Sequence, residues 1–190
     1  MLQLLLGLVL FFGVHSVSIV ALRMRNSLAA KSEIGWKVGY SLISLVGLIL
    51  ISRGYVELRM TPTVLYVAPV WLYHVAAVLL LPVFILFVAP YFPGRISKTT
   101  VHPQLVAVKL WAASHLLVNG TLADLLLFGT FLAWAVADRI SMKHRVSRAV
   151  PSAPESKAND VIAVLLGLSL YAVTVFWAHE ALFGMRPLVA

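Results

Sequence analysis

Four of the six histidines lie within long apolar segments, where an imidazole side chain is uncommon. They are His15, His74, His115 and His179. A polar ring in apolar surroundings destabilises the protein unless it has a partner. Neutral imidazole is the commonest protein ligand for metals, and imidazoles from different helices can hold haem b. These histidines are therefore candidates either for metal or haem ligation or for interhelical hydrogen bonding.

The position of each histidine along its helix limits which of them can share one ligand. His115 lies about 16 Å from the helix end nearer the basic loops, and His15 lies about 12 Å from the same boundary. Helix tilt absorbs a difference of this size, so these two residues form the favoured pair. His74 is the alternative partner, whereas His179, next to Glu180, is expected at the membrane interface.

The neighbours of the two favoured histidines support a lined pocket. Trp111, His115 and Asn119 are spaced four residues apart and therefore share one helix face. Ser18 shares a face with His15 in the same way, and we expect its hydroxyl to accept a hydrogen bond from the second ring nitrogen. An aromatic ring, imidazoles and small polar groups on facing helices are suited to binding a cofactor.

Several other chemistries find no support in the residues. The chain has no cysteine, which excludes disulfides, iron–sulfur ligation, thiolate-ligated haem and covalent c-type haem. We find no Ser/His/Asp arrangement, carboxylate dyad or phosphate-binding glycine loop. Asp124 is interpreted as an exposed cap of the following helix. Hydrolysis and phosphoryl transfer are therefore not indicated.

The composition identifies an integral membrane protein. Hydrophobic residues make up 61% of the 190 residues and charged residues only 12%, with a mean hydropathy of +0.95. A soluble domain is about half apolar and about one-quarter charged. The formal net charge of +8 comes from basic residues between the apolar segments. They are interpreted as topology signals and contacts to anionic lipid, so the expected partner is the bilayer and not nucleic acid.

The apolar segments predict an all-α polytopic bundle of about six helices in one domain over residues 1–190, with five helices as the main alternative. A membrane-spanning helix needs about 20 residues. The fourth and fifth segments are short and closely connected, which predicts a helical hairpin. The six segments lie near residues 2–22, 38–56, 67–89, 104–119, 122–138 and 161–183.

The basic residues also predict the orientation of the chain. Alternate connections differ strongly in charge, because the other side of the membrane holds only Arg53, Arg59 and Arg186. By the positive-inside rule, both termini are expected on the non-cytoplasmic side. The basic residues assigned to the cytoplasmic side are Arg23, Arg25, Lys31, Lys37, Arg95, Lys98, Arg139, Lys143, Arg145, Arg148 and Lys157.

Two segments, combined with six short helices, resemble the NnrU family. They are "GVHS" in the first helix and "HPQLVAVKLWAASHLLVNG" in the fourth. The family includes bacterial proteins linked to nitrogen-oxide metabolism and is related to the 15-cis-zeta-carotene isomerase of plants and cyanobacteria. The positions that match the family pattern are His102, Pro103, Trp111, Ser114, His115, Leu116, Asn119 and Gly120.

The resemblance implies a haem b protein of the bacterial inner membrane. The ligands proposed for the isomerase correspond to His15 and His115, and Trp111, Asn119 and Ser18 would belong to the pocket. The implied role is redox or sensing chemistry connected with nitrogen oxides, or isomerisation of a hydrophobic polyene. The oligomeric state is not indicated.

Two departures from the family pattern leave other roles open. Val101 replaces the usual arginine, and Ala112 stands where the isomerase has a cysteine. A non-enzymatic assembly or structural factor is the main alternative. The His-Pro start also resembles small membrane methyltransferases that use S-adenosylmethionine, although the C-terminal segment offers only Glu180 for that chemistry.

Overall fold

The computed structural model describes residues 1–146, 148 and 150–187. Within these residues the regular structure is helical, and one isolated β-bridge joins Val64 to Thr121. A 3₁₀ turn covers Ala89–Tyr91, and a π-helical turn covers Thr174–Ala178. The α-helices are α1 (Leu2–Val20), α2 (Leu22–Lys31), α3 (Glu33–Met60), α4 (Trp71–Leu80), α5 (Val83–Val88), α6 (Arg95–Thr99), α7 (Pro103–Val118), α8 (Leu122–Ser141), α9 (Asn159–Val173) and α10 (His179–Phe183).

Four helical stretches of the described chain are long and apolar enough to span a membrane: Leu2–Val20, Glu33–Met60, Trp71–Tyr91 and Asn159–Phe183. They support the predicted all-helical, multi-pass class. The other two predicted spans correspond to α7 and α8. Helix α7 has 16 residues, and α8 has 20 but carries two aspartates and an arginine. The structure therefore bears out the prediction of membrane-spanning helices for these four stretches.

One end of the bundle holds the turn between α7 and α8. The backbone N–H groups of Leu65 and Tyr66 donate to the carbonyl oxygen of Gly120, at 2.7 and 3.1 Å, and so fix the α3–α4 connection to this turn. The N-terminal amine of Met1 lies 3.8 Å from the Glu57 carboxylate. These contacts bring the start of α1 and the end of α3 to the same end of the bundle, which we call the turn end.

The opposite end collects the strongly basic connections. The backbone N–H groups of Arg95 and Ile96 donate to the Asp160 carboxylate at 2.9 and 3.0 Å, so the start of α9 is held against α6. The N–H of Ala153 donates to the carbonyl of Tyr91 at 2.9 Å. We call this the basic end, because α2, α6 and the α8–α9 connection supply most of the arginines and lysines. The charge segregation seen in the sequence therefore corresponds to two physical ends of the molecule.

Helices α1 and α3 pack closely because glycines face each other across their contact. A Cβ atom at Gly7 would lie 2.5 Å from the backbone nitrogen of Ile51 and 2.8 Å from the carbonyl oxygen of Gly47. A Cβ at Gly54 would collide with the backbone nitrogen of Leu4. Glycine lets helix backbones approach in membrane proteins, where association depends on van der Waals packing. This contact fixes the position of α1.

Helices α7 and α8 form the predicted antiparallel hairpin at the centre of the molecule. Helix α7 packs against α4 and α5, and α9 packs against α5. Helix α8 contacts α1 and α3. The buried apolar cluster across this junction contains Leu4, Leu8, Phe12, Ile51, Ala112, Leu127 and Phe128. The hairpin thus joins the α1–α3 pair to the rest of the bundle.

Asp124 caps α8 as predicted, but it is buried, not exposed. The N–H of Thr121 donates to Asp124 Oδ2 at 2.9 Å, and the N–H of Asp124 donates to Thr121 Oγ1 at 3.3 Å, which completes a capping box. The hydroxyl of Tyr55 on α3 donates to Asp124 Oδ1 at 2.5 Å. Only 5% of Asp124 is exposed, so these donors stabilise a carboxylate that has little access to solvent.

Replacing Gly54 by alanine tests the α1–α3 contact. We expect Gly54→Ala to lower the free energy of unfolding by about 1–3 kcal/mol, because the methyl group overpacks the contact. The control is Gly39→Ala on the same helix, which has open space around it. The control should stabilise by about 0.5–1 kcal/mol through helix propensity. Thermal unfolding in one detergent measures both, and equal unfolding temperatures would contradict the close packing.

Replacing Tyr55 by phenylalanine tests the buried cap. We expect Tyr55→Phe to cost about 1–3 kcal/mol, because the Asp124 carboxylate loses a donor that water cannot easily replace. Tyr73→Phe is the matched control, since Tyr73 is exposed and its hydroxyl has no hydrogen-bond partner among the described residues. Denaturation of both variants in the same detergent gives the comparison. A Tyr55→Phe protein as stable as the control would show that the hydrogen bond contributes little.

Candidate functional site

His15 lies on α1 and packs against side chains of α3 and α8. Its ring stacks on Phe11 with a centroid distance of 4.1 Å, and it contacts the rings of Tyr40 at 4.9 Å and Trp134 at 5.8 Å. Its Nδ1 lies 2.6 Å from the carbonyl oxygen of Phe11. Nδ1 must therefore carry the proton and donate it, because a carbonyl can only accept. This leaves Nε2 as the nitrogen with a free lone pair.

His115 repeats this arrangement in the last turn of α7. Its ring stacks on Phe128 of α8 at 4.5 Å and lies 5.3 Å from the ring of Trp111. Its Nδ1 lies 2.8 Å from the carbonyl oxygen of Trp111, one helical turn earlier, and donates to it. Neither His15 nor His115 makes a hydrogen bond through Nε2 to a residue that the structure describes. Both rings therefore present an available Nε2.

The two imidazoles lie at different levels of the bundle. His15 contacts α8 at Trp134 and His115 contacts it at Phe128, which are about 9 Å apart along the helix axis. The ring of Phe131 lies in between and contacts Trp111 at 5.1 Å. The expected similarity in depth is not found, because α1 ends at Val20 and the chain then enters a separate helix, α2. His15 is therefore nearer the basic end than the sequence suggested.

The predicted companions of the histidines are divided between several places. Trp111 lies beside His115, as its spacing predicted. Asn119 ends α7, and its carbonyl accepts a hydrogen bond of 2.8 Å from the Tyr66 hydroxyl. Ser18 accepts from an Arg148 Nη1 at 3.3 Å and does not bond His15. Side chains in helices point toward the N-terminus, so the His15 ring reaches back to Phe11 and away from Ser18.

The remaining histidines lie outside this arrangement. His74 is exposed on α4 and makes no hydrogen bond to a described residue. His179 Nδ1 donates to the Met185 carbonyl at 2.7 Å. His102 precedes α7 with a left-handed φ of 59°. Desolvation and the nearby charge of Arg139 lower the pKa of His102, so the neutral ring is favoured at the basic end.

A cavity of about 350 Å³ adjoins His15 at the basic end. Sequence reasoning missed it, because its walls come from five separate segments, namely α1, α2, α3, α8 and the α8–α9 connection. Trp36 and Tyr40 of α3 line one side, and Trp134 of α8 lines another. The cationic residues on its wall are Arg25, Lys37, Arg145 and Arg148. The site thus combines an imidazole, aromatic rings and a cluster of positive charges.

The α8–α9 connection contributes to the wall of this cavity, where it forms an ion pair with α8. Arg145 Nη2 donates to Asp138 Oδ1, and only 10% and 11% of the two side chains are exposed. Nothing in the sequence indicated that Asp138 has a partner seven residues later in a loop. A buried pair is strongly coupled, since loss of either member leaves an uncompensated charge. It therefore fixes this part of the connection against α8.

The arrangement fits a haem ligand at each histidine taken singly. A metal-ligating imidazole commonly donates its other N–H to a backbone carbonyl, as both rings do. As a pair on one iron they do not meet in this structure, because Phe131 lies between the two groups of rings. Among the described residues, no group of three or more His, Asp or Glu side chains is placed to hold a metal ion.

Comparison with known protein families identifies the family of this chain. The model of the family described as "NnrU protein" matches residues 3–187, which is nearly the whole chain. The chain has no significant match among curated proteins or among solved structures. The match includes both histidine-bearing segments on which the resemblance was based. The chain therefore belongs to the NnrU protein family.

Proposed function

We propose that this NnrU-family protein is a multi-pass protein of the bacterial inner membrane that binds haem b, with His15 and His115 as its axial ligands. One observation carries the proposal. In each of two helices an imidazole is anchored through Nδ1 to the carbonyl of an aromatic residue one turn earlier, and its Nε2 is left without a partner among the described residues. A purely structural histidine would be expected to use that nitrogen to join helices.

The surroundings of both rings support the same proposal. Phe11, Phe12, Phe128, Phe131 and Trp111 form a continuous set of ring contacts between α1, α7 and α8. A flat apolar macrocycle suits such a layer, and burial there would exclude water from the iron. Ligation of one iron by both histidines requires the Phe131 side chain to leave its present position. The bound group would supply redox and small-molecule binding chemistry.

The buried residue Ala112 of α7 favours a redox or sensing role connected with nitrogen oxides over isomerisation of a polyene. Ala112, which stands where the related isomerase has a cysteine, is fully buried in the apolar cluster between α1 and α8. No thiolate is therefore available at that position for exchange of an iron ligand. A non-enzymatic assembly factor is the second candidate, and it is distinguished by the absence of haem.

Absorption spectra of the purified protein test haem binding. After expression with adequate haem supply, we expect a Soret band that shifts on reduction. His15→Ala and His115→Ala should each abolish or shift the band, because each removes a ligand nitrogen. A protein without a Soret band would contradict the proposal.

His74→Ala is the matched control for these variants. His74 is also a membrane-helix histidine, but it is exposed on α4. Its replacement should leave the spectrum unchanged. If His74→Ala altered the band and His115→Ala did not, the ligand assignment would be wrong while haem binding would stand.

The orientation of the chain gives a second prediction. The protein has no cysteine, so single cysteines can report which side each end faces. We expect Thr61→Cys, at the turn end, to react with a membrane-impermeant maleimide in intact spheroplasts. Ser152→Cys, at the basic end, should react only after the membrane is permeabilised, because the positive charge is retained in the cytoplasm. The reverse labelling pattern would contradict the proposed orientation.

A further inference from the structure

Two residues that line the basic cavity, the cavity of about 350 Å³ beside His15, each carry a buried N–H group with no hydrogen-bond partner among the described residues. These groups are Nε1 of Trp134 and Nε of Arg145. The Arg145 side chain is nine-tenths buried, and its pairing with Asp138 uses Nη2, which leaves Nε unpaired. Leaving a buried donor unsatisfied costs about 1–3 kcal/mol. Two such donors beside one cavity indicate that an acceptor belongs there.

The cavity also carries an excess of positive charge. Of its four cationic residues, Arg145 is paired with Asp138 and Lys37 with Glu33, the latter at 2.7 Å. Neither Arg25 nor Arg148 forms an ion pair with a described residue. Desolvation and the like charges of Arg25 and Arg145 lower the pKa of Arg148. Arginine remains protonated even so, and the crowded cations favour an anion.

A second cavity of about 320 Å³ continues from the first and shares Ser18 and Arg145 with it. The rest of its wall combines the aliphatic side chains of Ile19, Leu22, Ala137 and Ile140 with the polar side chains of Ser141 and His144. The two cavities therefore offer a cationic compartment next to a partly aliphatic one.

We propose that the paired cavities bind an amphiphile through its phosphate group, with the phosphate in the basic cavity and the apolar part in the partly aliphatic one. A phosphate offers several acceptor oxygens, enough for the two guanidinium groups without carboxylate partners and for the indole and Nε donors together. The site does not depend on haem, so a preparation without a Soret band would still be expected to bind.

Calorimetric titration of the full-length protein in an uncharged detergent tests the site. The probes are dihexanoyl phosphatidic acid, inorganic phosphate and dihexanoylglycerol. We expect phosphatidic acid to bind at least about tenfold more tightly than inorganic phosphate, because its chains bury apolar surface, and dihexanoylglycerol not to bind. Equal affinities for phosphatidic acid and inorganic phosphate would refute the apolar half of the site. No binding of either would refute the whole proposal.

Variants locate the site. Arg148→Gln and Arg25→Gln should each weaken phosphatidic acid binding about tenfold through loss of one charge-assisted contact. Trp134→Phe should weaken it about fivefold, since it removes one donor and keeps the ring. Arg145 is left intact because its pairing with Asp138 holds the connection in place.

Matched controls separate the cavity from the general charge of the basic end. Lys143→Gln removes a cation from the same connection at a position outside both cavity walls, and Trp177→Phe removes an exposed indole. Both should keep wild-type affinity. Equal losses in the Arg148→Gln and Lys143→Gln proteins would show binding to the charged surface alone and overturn the assignment. Unfolding temperatures of all variants report whether the fold is retained.

Discussion

A polar group on an apolar helix is stabilised when it finds a partner within the protein, because a hydrocarbon environment offers none. This constraint accounts for the main polar contacts of the structure. The imidazoles of His15 and His115 bond to carbonyls of their own helices, and the Asp124 carboxylate is surrounded by Thr121 and Tyr55. Where a buried donor has no partner among the described residues, as at Trp134, the unpaired N–H group points to an acceptor from outside them.

The same constraint explains why the two candidate sites differ in character. The layer between α1, α7 and α8 is filled by aromatic rings, with the two imidazoles at its edges. The basic end lies where charged connections fold back toward the helices, and the Arg145–Asp138 pair is buried there. An apolar macrocycle with a central metal suits the first region, and a phosphate with an apolar tail suits the second.

Helix packing sets the relation between these regions. The glycine contact of α1 with α3 fixes the height of His15, and the short connection between α7 and α8 fixes that of His115. Helix α8 contacts both α1 and α7. The positions of Trp134 and Phe128 along α8 therefore show how far apart in depth His15 and His115 lie. Neither helix can slide without breaking close backbone contacts, so movement of a side chain such as Phe131 is the less costly way to bring the imidazoles nearer to a shared ligand.

The sequence by itself determined the all-helical class of the protein, the segregation of basic residues and the family. These properties follow from local composition and from short motifs, as do the positions of Trp111 beside His115 and of Asp124 at a helix start. An aromatic residue four positions before each of the two histidines, Phe11 and Trp111, was a local signal for the ring contacts beside them that spacing alone could have revealed.

Only the tertiary structure decided the relative depth of His15 and His115, the burial of Asp124 and the cavities of the basic end. Depth depends on where α1 stops and how α1 meets α3, which hydropathy cannot locate to within a turn. The Arg145–Asp138 pair depends on a loop folding back onto α8, and helical periodicity carries no information about loops. Sequence patterns describe each element separately, whereas these sites arise from the packing of several elements against one another.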